Sequence, residues 1–546
     1  MRRRFTLLVF LVALGLFLSA VPFGDFDTII GDNIAQVGYW KAIFHRQFVG
    51  SIGASSMKPG LIVLLGVAHD LSLKLLGSTV LIRVVFALSA AALCTVVAGV
   101  ARDASDSMVA ACGAAVYLLV ATPIPNTFID GTSMIVFYPL LLGGVWAFAR
   151  QRQLLGSVVL CLAALIRIEA FAVLLWLSIS EQLLKARWRD FLSTASITAG
   201  AVLVTAGVYY AAQGSVARFG AGGPAVGYLF TREPNVLLRI WSPLLFSFTA
   251  PYRIAFEQCG FPYLAVPAGY ALVQNARARS YASLLAVPLF LLLYVVTGQG
   301  QNEIRYFQFV IPILAPFGAA GVVLAFRDGR QPTRRLLLAL AAVTLVAVLA
   351  SVLLSAVPVV LSAGLLVLPA LLGWLSTRTR FSPRPLWIQL GFGLAIAGAL
   401  LWTVLGRGFR GPRRVAVYSS DAAALCEAGP VPRGSAVLTE DDIIYSVLVK
   451  DVAFFKHASA LQDFNIRPEA RRGELLRDAD YVVISKGRHD WYYLRYDPQK
   501  LGNGDPFRAA VARLLKRKQP VSVYGSRLVA VQDNRRWLVL KVEHDS

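Results

Sequence analysis

Residues 59–76 read PGLIVLLGVAHDLSLKLL, and the way this stretch is counted decides the topology of the whole chain. It is apolar enough to tempt a transmembrane assignment, which takes about 17–25 residues of helix. It also carries His69, Asp70 and Lys74, and a charge at the hydrocarbon centre costs about 2.5–3.5 kcal/mol. The surrounding loops arbitrate. With 59–76 left out, apolar segments near 5–22, 79–100, 108–123, 133–149, 154–167, 170–184, 191–211, 258–274, 281–297, 308–326, 336–356, 358–375 and 386–405 serve as spans. Alternate loops then carry Arg102, Arg150 with Arg152, Lys185 with Arg187 and Arg189, Arg277 with Arg279, Arg327 to Arg335, and Arg378 to Arg384. All of these fall on the side of the N-terminus, as the positive-inside rule requires. Counting 59–76 as a span would put every one of them on the other side. The stretch is therefore read as a helix lying at or dipping into the interface. A true span, with an error elsewhere in the count, is the alternative.

The expected fold class is an α-helical polytopic membrane protein of about 13 spans. Its N-terminus is cytoplasmic, and an odd number of spans puts the C-terminus outside. Composition agrees: mean hydropathy is +0.62, 57% of the residues are hydrophobic and only 15% are charged. Met1-Arg-Arg-Arg before Phe5–Ala20 resembles a signal peptide, but Ala20-Val21-Pro22 is a poor cleavage site and many spans follow, so an uncleaved first helix is expected. The net charge of +22 does not point to nucleic acid, because much of it sits in the short loops that set orientation. Four cysteines, Cys94, Cys112, Cys161 and Cys259, lie in or near apolar segments, and Cys426 is alone past residue 406, so no disulfide framework or CxxC metal spacing exists.

Past residue 406 the texture changes. Strand-like runs at Val415–Tyr418, Ala436–Thr439, Tyr481–Ser485, Val521–Tyr524, Arg527–Gln532 and Trp537–Val542 alternate with helical stretches such as Pro506–Lys518. The expected division is a membrane domain over 1–406, with a first external loop at 23–58 and interfacial helices to about 76, followed by an extracytoplasmic α/β domain over 407–546.

Three polar clusters fall on the expected external side. The first is Gly24-Asp25-Phe26-Asp27-Thr-Ile-Ile-Gly31-Asp32-Asn33, followed by an amphipathic stretch, Ile34–Phe48, and closed by Ser55-Ser56-Met57-Lys58-Pro59-Gly60. Asp32 stands where an N-cap belongs, so helix capping competes with chemistry as its role. Lys58 at the mouth of the next helix suits either a lipid phosphate or snorkelling to head groups. The second cluster is the turn Thr122–Gly131 with Asp130, which also suits a helix start. The third is Gly298–Tyr306, with Glu303, Arg305 and Tyr306. Arg167 and Glu169 at the junction of two short apolar segments are ionisable residues at membrane depth, and such residues are functional suspects.

The order of these features resembles the GT-C superfamily of polytopic glycosyltransferases. It comprises an acidic loop after the first helix, Lys58-Pro59 before an apolar helix, LAALIRIEA over Leu162–Ala170, and NEIRYF over Asn302–Phe307. Within that superfamily the likeness is to the aminoarabinose transferases of lipid A and the protein O-mannosyltransferase-like enzymes. Asp32-Asn33 falls on the family's acidic pair and Met57-Lys58-Pro59-Gly60 on its lysine-proline motif; Asn33 and Met57 stand where the family has acids. The resemblance implies transfer of a sugar, with inversion, from a polyprenyl-phosphate donor to a glycolipid, polysaccharide or protein acceptor. Transfer would take place on the outer face of a bacterial cytoplasmic membrane. It implies a base or acceptor-orienting carboxylate, Asp32 first, with Asp27 and Asp130 as runners-up. It implies that Lys58 and Arg305 stabilise the donor phosphate, with Glu303, Tyr306, Arg167 and Glu169 in support. No nucleotide-sugar site is needed, and Asp25-Phe26-Asp27 is read as a chance DxD outside the cytoplasm. A divalent cation on the external carboxylates is open, since no ligand set stands out. The partners implied are the lipid-linked donor, the acceptor and membrane lipids, with no nucleic acid.

Three other function classes are weighed, one of them a non-catalytic interaction protein, which would leave Asp32 and Lys58 without a shared cavity. A transporter or flippase of lipid-linked sugars would also place charges at membrane depth, but it predicts inverted repeats that are not visible here. A lipid-linked glycan polymerase or ligase would carry its large external segment among the late spans rather than at the C-terminus.

Overall fold

The computed structural model describes residues 2–19, 32–44, 58–76, 80–120, 133–167, 169–213, 261–282, 284, 310–329, 331–339, 429–439, 455–460, 469–485, 506–533 and 537–544. The expected spans at 336–356 (beyond residue 339), 358–375 and 386–405, most of that at 281–297, and the expected strand Val415–Tyr418 lie outside these residues. The chain divides into two compact units. One comprises Met1–Gly24, Val80–Gly207 and Phe219–Pro412; the other comprises Asp25–Thr79, Val208–Arg218 and Arg413–Ser546.

The first unit is a helical bundle. Its described helices are α1 (Arg2–Ser19), α4 (Val80–Ser105), α5 (Met108–Val120), α6 (Ser133–Ala149), α7 (Gln153–Ile166), α8 (Glu169–Leu177), α9 (Trp188–Gln213, in this unit as far as Gly207), α10 (Phe261–Gln274) and α11 (Val310–Arg327). The second unit contributes α2 (Asp32–Phe44) and α3 (Pro59–Leu76). Helix α4 is the hub of the bundle and packs on α1, α5, α6 and α11. Its buried face, Ile82, Phe86, Ala90, Cys94, Val97, Ala101 and Ala104, recurs every three or four residues. Among the described residues, three helices are long and apolar enough to cross a membrane: Pro59–Leu76, Val80–Ser105 and Trp188–Val208.

The bundle is apolar on its outside. Helix α7 buries Gly156, Ser157, Cys161 and Ala164, yet exposes Leu154, Leu155, Val158 and Leu162. Helix α9 turns Thr194 and Thr205 inward and leaves Leu192, Leu203 and Val204 outside. Small and hydroxylated residues at the helix contacts, with leucine and valine outermost, fit a hydrocarbon solvent and not water.

Glycines bring the helices close. A methyl on Gly156 would lie 2.3 Å from the Phe148 ring, and one on Gly144 would lie 2.5 Å from Leu160 Cγ, so α6 and α7 meet through bare backbone. The tightest approach is at Gly321 of α11, where a Cβ would sit 1.7 Å from the Pro267 carbonyl oxygen of α10. No rotamer relieves a clash with backbone. Gly321→Ala is expected to cost about 1–3 kcal/mol, the range for overpacking, read as a lower unfolding midpoint in detergent. Gly15→Ala in α1, where nothing lies within 4 Å, is the neutral control. Equal midpoints for the two variants would refute the close contact.

Helices α7 and α8 do not join smoothly. Arg167 is extended (φ −146°, ψ 123°) and ends α7, with its N–H still bonded to the Ala163 carbonyl. Helix α8 then widens into a π-helical turn over Ser178–Leu183. Gln182, Thr194 and Ser157 form a buried hydrogen-bonded group beside it: the Gln182 amide donates to Thr194 Oγ1 at 3.0 Å, which lies 2.6 Å from Ser157 Oγ.

In the second unit, the C-terminal residues build a six-stranded sheet. Its strands are β1 (Ser435–Thr439), β2 (Phe455–Ala460), β3 (Tyr481–Ser485), β4 (Val521–Val523), β5 (Ser526–Asp533) and β6 (Trp537–His544), in the order β2-β1-β3-β6-β5-β4. Strands β2, β1 and β3 are parallel, and β3, β6, β5 and β4 are antiparallel. Helices α12 (Glu469–Arg477) and α13 (Pro506–Arg517) share its core through Leu476, Phe507, Val511 and Leu514, against Leu438, Val482, Leu528 and Leu540. The β4–β5 hairpin turns on Tyr524 (φ 51°) and Gly525 (φ 74°), the two left-handed positions of a two-residue loop that twists with its strands.

Candidate functional site

Helix α2 begins at Asp32 and packs on α3. Lys58 is the residue that starts α3: its carbonyl accepts the N–H groups of Leu61 and Ile62, both at 2.9 Å. Pro59 follows at the first helical position, where its missing N–H costs nothing. The Lys58 N–H in turn donates to Oε1 of Gln36 at 2.9 Å, and Gln36 is fully buried. The backbone of Lys58 is thus held on both sides, by α3 through its carbonyl and by α2 through its amide, while its side chain is half-buried.

Further along, Trp40 packs against Gly66, where a Cβ would fall 2.1 Å from the indole Cγ, and meets Phe44 at a tilt of 33° with centroids 4.1 Å apart. Asp70 accepts the indole N–H of Trp40 at 2.7 Å and the ammonium of Lys41 at 2.9 Å, with His69 Nδ1 3.3 Å away. Of the residues that argue against a span at 59–76, Asp70, with His69 beside it, therefore belongs to an α2–α3 contact, while Lys74 is exposed. The opposite face of α3, with Val63, Leu64, Val67, Leu71 and Leu75, is exposed. Position along the chain hides this cluster: Asp70 and its donors on α2 are separated by 29 and 30 residues.

In the bundle unit, Arg167 and Glu169 form an ion pair at 2.5 Å, with side chains 13% and 11% exposed. Arg167 also reaches Met134 Sδ at 3.6 Å and stands 5.9 Å from the Phe137 ring centroid. A second charged cluster gathers at the other, basic loops. Asp103 accepts Trp146 Nε1 at 2.9 Å, Arg150 Nε at 2.8 Å and the Tyr281 hydroxyl at 3.1 Å, and Arg150 stacks over Trp146. The hydrogen bond to Asp103 pushes the Arg150 guanidinium above its ordinary pKa, so this pair stays charged and acts as a clamp between helix ends.

Asp27, Asp130, Glu303, Arg305 and Tyr306 lie outside the described residues, as does the side chain of Asp32. Lys58 is in one unit, and Arg167 with Glu169 in the other. Among the described residues, no group of three or more His, Cys, Asp or Glu side chains is placed to hold a metal ion.

No protein-family model matches the chain, and no curated protein matches it. Solved structures do. ArnT from Cupriavidus metallidurans bound to undecaprenyl phosphate aligns with a TM-score of 0.52 at 14% identity, covering 98% of this chain and 97% of that one. The same protein in the apo state aligns at 0.50 with the same identity and coverage. At 14% identity the likeness is one of fold, and it runs the length of both chains.

Proposed function

We propose, from the fold this chain shares with ArnT over nearly its whole length, that it is a membrane glycosyltransferase of the GT-C type that takes its sugar from a polyprenyl-phosphate donor. The neighbour bound to undecaprenyl phosphate is the observation that carries the reading, because a fold that accommodates that lipid phosphate is suited to its glycosylated form. The apolar exterior of the bundle supports a place in the cytoplasmic membrane. The reaction is direct displacement at the anomeric carbon: the acceptor oxygen attacks, the bond to the donor phosphate breaks, and the configuration inverts. The acceptor proton goes to a carboxylate, assigned to Asp32, and the departing phosphate meets the Lys58 ammonium. The pinned backbone of Lys58 suits a cation that must meet an anion at a fixed place. We place the C-terminal α/β unit on the outer side with these residues, where the donor is consumed, and read α3 as interfacial. Helix α3 has the length and apolarity of a span; the engagement of Asp70 with α2 supports the interfacial reading.

The test is an assay of the full-length protein in nanodiscs with a radiolabelled undecaprenyl-phosphate sugar and a panel of glycolipid, polysaccharide and protein acceptors. Label is expected to pass to one acceptor class with release of undecaprenyl phosphate. Donor that crosses a vesicle membrane without ever being cleaved would replace this reading with a transporter.

A further inference from the structure

Lys58 is one end of a ladder of contacts that tie α2 to α3. Its amide is bound to Gln36. One helical turn on, Trp40 closes over Gly66. One turn of α3 beyond Gly66, Asp70 takes the Trp40 indole and the Lys41 ammonium. Gln36 and Trp40 are four residues apart on α2, and so are Gly66 and Asp70 on α3, so the rungs share one face of each helix. Gln36 is fully buried and the Lys41 side chain is 12% exposed. The last rung is the strongest, because charge-assisted hydrogen bonds are about twice as strong as neutral ones.

We infer that Asp70 is a positioning residue for the donor phosphate: it fixes the angle of α2 on α3, and through Gln36 that angle sets where the Lys58 ammonium stands. The inference rests on the reading of Lys58 given above. An error of about 1 Å at a reacting group can cost about 100-fold, so a helix pair that carries a phosphate-binding cation needs a brace. Asp70 supplies it several turns from the ligand, and α2 carries the same constraint to Asp32 at its start.

The experiment is a binding cycle on the full-length protein in nanodiscs, with undecaprenyl phosphate as the probe. Wild type, Asp70→Asn, Lys58→Ala and the double variant are compared. Asp70→Asn is expected to weaken binding about 10-fold and Lys58→Ala more than that, with the double variant within 2-fold of Lys58→Ala alone. A double variant whose loss is the product of the two single losses would show Asp70 acting independently of Lys58 and overturn the inference, as would wild-type binding by Asp70→Asn. Wild-type binding by Lys58→Ala is a different failure: it removes Lys58 from the phosphate site, and the positioning role falls with it. If Asp70→Asn does not fold, Lys41→Met, which leaves the Trp40 bond to Asp70 in place, enters the same cycle.

Discussion

Asp32→Asn is expected to lower the rate of sugar transfer at least about 100-fold, the lower end of what a positioned proton acceptor contributes. Asparagine is the informative replacement because it separates the two roles open to a residue at the start of α2. Asn caps a helix about as well as Asp does, so the variant keeps the helix start and loses only the carboxylate. Turnover of the labelled donor should fall while binding of undecaprenyl phosphate stays within about 3-fold of wild type, since Lys58, proposed to meet the donor phosphate, is untouched and the acceptor proton plays no part in donor binding. Unchanged turnover would leave Asp32 as a cap and move the search for the base to Asp27 and Asp130. Loss of turnover and donor binding together would place Asp32 in donor recognition instead.

The second large effect concerns stability. Glu169→Ala leaves the Arg167 guanidinium in the bundle without the carboxylate it now meets at 2.5 Å. Both side chains are close to nine-tenths buried, and breaking a buried pair by removing one partner costs about 3–5 kcal/mol. The loss is expected as a lower unfolding midpoint in detergent or a smaller fraction folded in a denaturant titration. Removing both charges, as Arg167→Met with Glu169→Leu, should recover most of it. Desolvating a paired ion is itself costly, and Met134 and Phe137 already give Arg167 an apolar lining. A Glu169→Ala variant within about 0.5 kcal/mol of wild type would mean that the pair is solvated and contributes nothing to the α7–α8 junction.

Much of the architecture is legible in the residues alone. Ser133–Ala149 coincides with the apolar segment expected there, and Gln153–Ile166 is displaced by one residue. The break at Arg167 falls where two short apolar segments meet. Helix α4 runs five residues past its expected end to Ser105, because a change from apolar to charged residues at Arg102 and Asp103 ends the apolar run without ending the helix. In the C-terminal sheet β3 has its expected bounds, and β1, β4, β5 and β6 lie within two residues of theirs at each end. Two elements escaped. Strand β2 reads FKHASA and helix α12 reads EARRGELLR; both are short and at least half polar, and their periodicity is weaker than the tertiary context that forms them.

The candidate site was less legible. Lys58 is marked by its proline and by the likeness to the GT-C enzymes. Gln36 and Asp70 are not marked, since a hydrogen bond between residues 22 or 30 positions apart leaves no local pattern. Their signal was indirect: a carboxylate and an imidazole in an apolar run need partners somewhere, and the preceding amphipathic stretch offers an indole and an ammonium in Trp40 and Lys41.

The exposed leucines and valines of α7 and α9 also bear on how the two units respond to temperature. Heat capacity rises when apolar surface passes into water. Helices that separate within lipid move their outer faces from hydrocarbon to hydrocarbon and contribute little to it. The bundle unit should therefore lose stability almost linearly on warming, held by close backbone contacts such as Gly321 against Pro267. The C-terminal sheet, whose core of Phe507, Leu514 and Leu540 forms from an aqueous chain, should follow the curved stability profile of a water-soluble domain.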